Sequence, residues 1–382
     1  MADQHLVPPN TFPQSPLPGM PVAIAPPPES SIPQRKIGGI AVPAIGLGVM
    51  GLAATYDAAD DDEERLSVSV LPNRAQQRAF SQSGFRKVLD TAYEAGCTFW
   101  DTADVYGDSE DLIGEWFRRN PEKRSKVFLA TKFGLTMIGA RGDPSYVKEA
   151  CNLSLQRLGV DYIDLYYQHR VDKNIPIEKT VEAMAELVKE GKVRYLGLSD
   201  CTADGLRRAN AIHPIAALQI EFSPMALEVE LPHLNLIQAA RSCGAKIIAY
   251  SPLGRGFLTG QIHSLEDLES DDCRRNVPRL SQENIPKILS LTDEIAEMGK
   301  KHNATAGQTA LAWTLAQGDD FFVIPGSTTT EFLRENVGAA TVKLSSREVS
   351  RIRKLAKEAD IQGAGYSAGW NDLVYVDSPP LL

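Results

Sequence analysis

Four side chains of unlike chemistry stand at the ends of three consecutive apolar runs in this 382-residue sequence. The first run passes into Phe99-Trp100-Asp101-Thr102-Ala103-Asp104-Val105-Tyr106-Gly107, the second into Ala130-Thr131-Lys132-Phe133-Gly134, and the third into Tyr166-Tyr167-Gln168-His169-Arg170. If the runs are neighbouring parallel strands, a carboxylate (Asp101), a phenol (Tyr106), an ammonium (Lys132) and an imidazole (His169) reach one rim. Each alone has an ordinary explanation: Lys132 as a surface lysine, Asp101 as the cap of a loop, His169 as a structural histidine. Their joint appearance on consecutive runs points to chemistry.

The elements that must position them follow from the same pattern. Apolar runs at Ala44–Leu47, Thr98–Thr102, Val127–Lys132, Tyr162–Gln168, Val193–Ser199, Ala217–Phe222, Ala245–Ser251 and Phe321–Pro325 are short and apolar on both faces, as strands covered by helices must be. Amphipathic stretches alternate with them at Phe85–Ala95, Glu110–Arg119, Tyr146–Leu158, Glu178–Lys189, Ala203–Ala211, His233–Ser242 and Ala306–Ala316. Eight such units predict an α/β chain closed as a (β/α)8 TIM barrel. A doubly wound open sheet is the runner-up, but no Gly-x-Gly-x-x-Gly follows the first strand. Arg35–Val42 reads as an N-terminal β-hairpin, and Asn284–Lys301 and Arg347–Lys357 as extra helices, the second near the C-terminus.

Composition bounds the rest. Hydrophobic residues make up 43% and charged residues 23%, with mean hydropathy −0.20, the balance of a globular protein without membrane spans. The formal charge of −9 gives no average attraction to nucleic acid or to an anionic membrane. Cys97, Cys151, Cys201, Cys243 and Cys273 form no CxxC pair and no metal-ligand spacing, so no metal is expected. The start lacks a secretory h-region, and a cytoplasmic location is the expectation. Residues 1–34, crowded with proline from Pro8 to Pro33, read as a disordered tail, and 35–382 as the barrel domain.

The runs Phe99–Gly114 (FWDTADVYGDSEDLIG), Leu129–Gly134 (LATKFG), Asp161–Asp172 (DYIDLYYQHRVD) and Ala249–Gly260 (AYSPLGRGFLTG) give the chain a specific likeness. From about Arg35 onward it resembles the aldo-keto reductase superfamily, closest to the fungal-type branch. The resemblance implies an oxidoreductase of the alcohol dehydrogenase [NAD(P)+] type that reduces an aldehyde or ketone by hydride transfer from NAD(P)H. It makes Tyr106 the general acid. A phenol has an ordinary pKa of about 10, and the ammonium of Lys132 is expected to lower it. Asp101 is the expected counter-ion of Lys132, and His169 the donor that orients the carbonyl oxygen.

The same resemblance assigns cofactor residues along the later strands. Ser199, Asp200 and Gln219 are expected at the nicotinamide carboxamide, Tyr250 against the nicotinamide ring, and Ser251, Leu253, Arg255 and Gly256 around the pyrophosphate. Gly326, Ser327, Glu335 and Asn336 are expected at the adenosine end. Asp200 stands where the family commonly has asparagine. Thr328, Thr329 and Phe332 stand where NADPH-selective relatives usually carry Lys or Arg, with Arg334 the only nearby cation. NADPH is the expected cofactor, and NADH use is open. Met50, Tyr56 and Trp100, with Tyr366 and Trp370 from the C-terminal segment, are expected to line the substrate pocket.

One stretch departs from the family. Between Asp62-Glu63-Glu64-Arg65 and Phe85-Arg86-Lys87-Val88-Leu89-Asp90 lies a surplus segment, Leu66 to Gly84, in the first strand-to-helix connection. It reads either as a lid over the pocket or as intron sequence carried into the protein, and the clean rejoining of its flanks favours the second. Two rival functions are set against the reductase: a cofactor-binding regulatory subunit resembling the potassium-channel β subunits, and metal-dependent hydrolysis. The four intact catalytic residues oppose the first, and a first strand without His-x-His opposes the second. The expected partner is a small-molecule carbonyl compound.

Overall fold

The computed structural model describes residues 32–53, 82–136, 138–270 and 272–381. Residues 1–31, Tyr56 and residues 66–81 of the surplus segment lie outside the described residues. Two boundaries shift within it. Ile32 is buried and the first strand begins at Gln34, both inside the span expected as tail. The helix that leads into the second barrel strand begins at Gln82, so the last three residues of the surplus segment are helical.

Twelve strands are present among the described residues. β1 (Gln34–Ile37) and β2 (Ile40–Pro43) form the N-terminal hairpin. β3 (Leu47–Gly48), β4 (Phe99–Asp101) and β5 (Phe128–Phe133) come next, then the small hairpin β6 (Leu135–Thr136) and β7 (Gly139–Ala140). β8 (Ile163–Gln168), β9 (Val193–Ser199), β10 (Ile215–Glu221), β11 (Lys246–Tyr250) and β12 (Phe321–Val323) complete the set. Eight of them lie side by side in the order β12-β11-β10-β9-β8-β5-β4-β3. All these pairings are parallel. The outer edges meet through the bridges Ile45–Val323 and Gly48–Gly326, which closes the sheet into a (β/α)8 barrel.

Strand periodicity divides the core in two. Side chains alternate between faces, so Phe99, Phe128, Ala130, Leu165, Tyr167, Ala217, Ile248 and Phe322 fill the barrel interior. Trp100, Leu129, Phe133, Tyr166, Leu196 and Leu218 point outward and pack beneath the helices. The hairpin plugs the lower end: Ile37 and Val42 join the interior cluster, and the Gly39 amide donates to the Tyr195 hydroxyl at 3.1 Å. Gly38 is required there, since its φ is +57° and a Cβ would lie 2.2 Å from the Tyr195 ring.

The helices begin and end where local chemistry dictates. Asp143 caps Pro144–Leu158 by accepting from the Tyr146 amide, Pro144 opens it, and Gly159 closes it at φ +61°. Thr305 and Gln308 cap Ala306–Leu315 reciprocally. The expected extra helices are present at Ile285–Lys300 and Ser346–Glu358. From the second, the chain returns over the upper rim. Asn284 donates to Gln362 O and Arg279 N to Ala364 O, Cys201 bridges Val376, and Arg208 donates to Ser378 O.

Candidate active site

Asp101, Lys132 and His169 occupy the upper ends of β4, β5 and β8, and Tyr106 the loop after β4. Asp101 and Lys132 share the inward parity of Phe99 and Ala130, so the strand period places the carboxylate and the ammonium inside the barrel mouth. Lys132 Nζ lies 2.5 Å from Asp101 Oδ1, 2.8 Å from Thr102 O and 3.4 Å from the Tyr106 hydroxyl. An ammonium has three protons, and all three are directed. Gln219 Nε2 donates to Asp101 Oδ2 at 2.8 Å, so both carboxylate oxygens are held. The Tyr106 and His169 rings meet edge to face with centroids 5.6 Å apart.

Electrostatics set the protonation states. Burial pulls Lys132 down, but Asp101 and Tyr106 outweigh it and its pKa is raised, so it is an ammonium at neutral pH. Burial pushes Tyr106 above the ordinary phenol value, and Lys132 only partly draws it back. The expected lowering of Tyr106 is therefore corrected: in this site desolvation exceeds the pull of one ammonium. The phenol holds its proton, as a proton donor must. Burial, aided by Arg170 and Lys132, drives His169 well below its ordinary value, so the imidazole is neutral.

Asp101, Tyr106 and His169 line a cavity of about 1110 Å³, with Ser199, Gln219 and Tyr250 beside them. Ser251, Leu253, Arg255 and Gly256 line its middle, and Gly326, Glu335 and Asn336 its far end. The middle is a tight loop of left-handed backbone. Ser251, Gly254, Arg255 and Gly256 have φ values of +48°, +56°, +56° and +97°, and in the tight loop they form the Gly254 amide donates to Ser251 O at 2.9 Å and the Gly256 amide to Leu253 O at 3.0 Å. Gly254 has no alternative, because a Cβ would meet Met225 Sδ at 2.1 Å. The size, the Arg274 guanidinium on the wall and the two glycines Gly48 and Gly326 fit an extended diphosphate-containing dinucleotide.

Several expected residues stand elsewhere. Asp200 is fully buried behind the wall, in left-handed backbone with φ +45°. Arg170 pairs with its Oδ2 at 3.0 Å and the Tyr250 hydroxyl donates to the same oxygen at 2.9 Å. Burial pushes Asp200 up to about 6 against the pull of Arg170 and Tyr250, leaving a carboxylate at neutral pH. Ser327 is also buried, accepting from Asn336 Nδ2 at 3.0 Å. Arg255 turns its guanidinium to the C-terminal segment: it donates to Gly365 O at 2.6 Å and stacks over Tyr366 at 4.7 Å.

On the substrate side, Met50, Tyr366 and Trp370 line the cavity, and Tyr56 lies outside the described residues. Trp100 does not line it. One step from Asp101 along β4, it points to the helices, donates to Cys97 O at 2.9 Å and packs on Trp116 and Phe117. Sequence reasoning missed Arg274, a cation on the cavity wall held by Asp272 and donating to Arg255 O at 3.0 Å. Its only signal was a pair of arginines after two aspartates, Asp271-Asp272-Cys273-Arg274-Arg275, in a segment without periodicity. Among the described residues no His, Cys, Asp and Glu side chains gather as a metal site.

Comparison with known proteins meets this geometry. The pattern of the Aldo/keto reductase family matches residues 72–357, most of the chain. Aldo-keto reductase str7 of Strobilurus tenacellus is 55% identical over 337 residues, spanning 87% of this chain and 94% of that protein. Aldo-keto reductase yakc [NADP(+)] of Schizosaccharomyces pombe is 43% identical over 359 residues, spanning 92% and 99%. The glycerol dehydrogenase of Gluconobacter oxydans shares the fold at TM-score 0.71 and 23% identity, covering 87% of this chain and 98% of that one. A thermostable aldo-keto reductase solved with epalrestat superposes at TM-score 0.64 and 26% identity, over 85% and 100%. A closed barrel with a directed lysine and a buried phenol at a large cavity, matched over nearly its whole length to such relatives, makes this chain an oxidoreductase of the aldo/keto reductase family.

Proposed function

We propose that the protein reduces an aldehyde or ketone to the corresponding alcohol with NADPH. The observation that carries this reading is Lys132 Nζ reaching both Asp101 and the Tyr106 hydroxyl beside the large cavity. A nicotinamide dinucleotide, when bound, supplies the hydride. Tyr106 donates its hydroxyl proton to the carbonyl oxygen, so that hydride and proton together give the alcohol. Lys132 stabilises the phenolate left behind, and Asp101, itself held by Gln219, keeps Lys132 charged. Neutral His169 donates an N–H to the same carbonyl oxygen and fixes its distance from Tyr106.

The Arg274 guanidinium on the cavity wall is the group suited to the diphosphate. NADPH rather than NADH rests on the fission-yeast relative, whose name carries NADP(+). Thr328 and Phe332 on the cavity wall offer no charge to a ribose phosphate, and Arg334 is exposed on the helix Thr330–Gly338. All five cysteines are free thiols, which suits work in the reducing cytoplasm. Purified protein mixed with NADPH or NADH and a panel of aldehydes, followed by cofactor absorbance, tests the reading. Consumption that depends on aldehyde is expected, and cofactor binding without turnover of any carbonyl overturns it.

A further inference from the structure

The C-terminal segment brings the Tyr366 hydroxyl against Tyr250 at the wall of the large cavity. Its course there is fixed on both sides of Tyr366. Before it, Gln362 O accepts from Asn284 Nδ2 at 2.6 Å, Ala364 O from the Arg279 amide at 3.1 Å and Gly365 O from Arg255 at 2.6 Å. After it, the Tyr375 amide donates to Asp200 O at 2.8 Å.

Four side chains close a ring of hydrogen bonds at this point. Arg170 Nη2 donates to the Tyr366 hydroxyl at 3.3 Å, that hydroxyl donates to the Tyr250 hydroxyl at 3.0 Å, and Tyr250 donates to Asp200 Oδ2 at 2.9 Å. Arg170 Nη1, 3.0 Å from the same Asp200 oxygen, completes the circuit. Burial holds the Tyr250 phenol well above its ordinary value, so it keeps the proton that it donates. Each hydroxyl takes one bond and gives one, so the donors run in one direction from guanidinium to carboxylate, and each bond polarises the next.

Tyr250 is the last residue of β11 and lines the cavity together with Ser199 and Gln219. A tyrosine ring swings about χ1, and a hydroxyl anchored both as donor and as acceptor stops that swing. The geometry points to Tyr366 as a positioning residue for the cofactor: through the Tyr250 hydroxyl it fixes the ring that the nicotinamide lies against. The inference rests on the reading of the protein as a nicotinamide-dependent carbonyl reductase with Tyr250 at the nicotinamide. It makes the C-terminal segment part of the cofactor site, and it gives the buried carboxylate of Asp200 a role, since one of its oxygens receives both Tyr250 and Arg170.

The test is a double-mutant cycle on the full chain, read by single-turnover hydride transfer from saturating NADPH to the aldehyde that the wild type reduces fastest. Tyr366→Phe removes one hydroxyl and keeps the ring under Arg255, so the segment stays packed. It is expected to slow transfer about fivefold at saturating aldehyde, the value of one neutral hydrogen bond, with aldehyde affinity unchanged. In a Tyr250→Phe background the same substitution is expected to have no further effect, because the hydroxyl through which it acts is already gone. An unchanged rate in Tyr366→Phe, equal slowing in both backgrounds, or a loss of aldehyde affinity alone overturns the positioning role and leaves the reductase reading in place. No transfer to any aldehyde by the wild type overturns that reading itself.

Discussion

Gln219 Nε2 donates to Asp101 Oδ2 across 2.8 Å. The amide expected at the nicotinamide carboxamide thus also fixes the carboxylate that charges Lys132. Asp101 cannot rotate away without breaking a bond on each oxygen, so the ammonium is aimed at Tyr106 by three strands, β4, β5 and β10, rather than by one contact.

Replacing Lys132 with methionine removes the charge that steadies the phenolate and strands Asp101 in the barrel mouth. The single variant is expected to lose about 3–5 kcal/mol in chemical denaturation, the usual cost of leaving one member of a buried ion pair. Asp101→Asn combined with Lys132→Met removes both charges and is expected to recover most of that stability. Carbonyl reduction stays at least about a hundredfold below wild type in both. A double variant that regains activity along with stability would show that the pair only holds the fold.

Asp200 gives a prediction in pH. Its pKa is raised from 3.8 to about 6 in the folded protein, so the native state holds this proton more tightly than the unfolded chain. The stability it contributes is complete below the unfolded value and is lost as pH rises through the folded one. Relative to an Asp200→Asn variant, the wild type should therefore lose stability between pH about 4 and about 6 and run parallel above that. Urea unfolding of the two proteins across this range checks it. Parallel curves from end to end would mean that Arg170 fully offsets the burial of the carboxylate.

Phe332 lines the far end of the cavity and is 39% exposed, so a charged side chain fits there without disturbing the core. Phe332→Arg adds the cation that the adenosine end lacks. The KM for NADPH is expected to fall about tenfold relative to that for NADH, the value of one charge-assisted hydrogen bond to phosphate. An equal change for both cofactors would place the ribose phosphate elsewhere, with Arg274 the next candidate.

How far the sequence carried can be followed residue by residue. Strand periodicity and the polar strand ends placed Asp101, Lys132 and His169 correctly, because parity along a barrel strand decides which side chains enter the mouth. The same parity, applied one position earlier, sends Trp100 outward; its aromatic character suggested the pocket, but its place on β4 rules. The contacts of the Asp200 and Arg255 side chains were out of reach for another reason. Their partners, Arg170 for one and Tyr366 with Gly365 for the other, lie far along the chain, and no local pattern reports a contact that only tertiary folding makes. Burial likewise set the direction of the Tyr106 shift, and burial depth is not written in spacing.

The account stands or falls on Tyr106, the proton donor that Lys132 faces at 3.4 Å. The direct measurement is single-turnover hydride transfer from NADPH to an aldehyde in wild type and Tyr106→Phe, with cofactor affinity measured in both by fluorescence. The prediction is a fall of about 10² to 10⁴-fold in the transfer rate with cofactor affinity held. Equal transfer rates in the two proteins would contradict it.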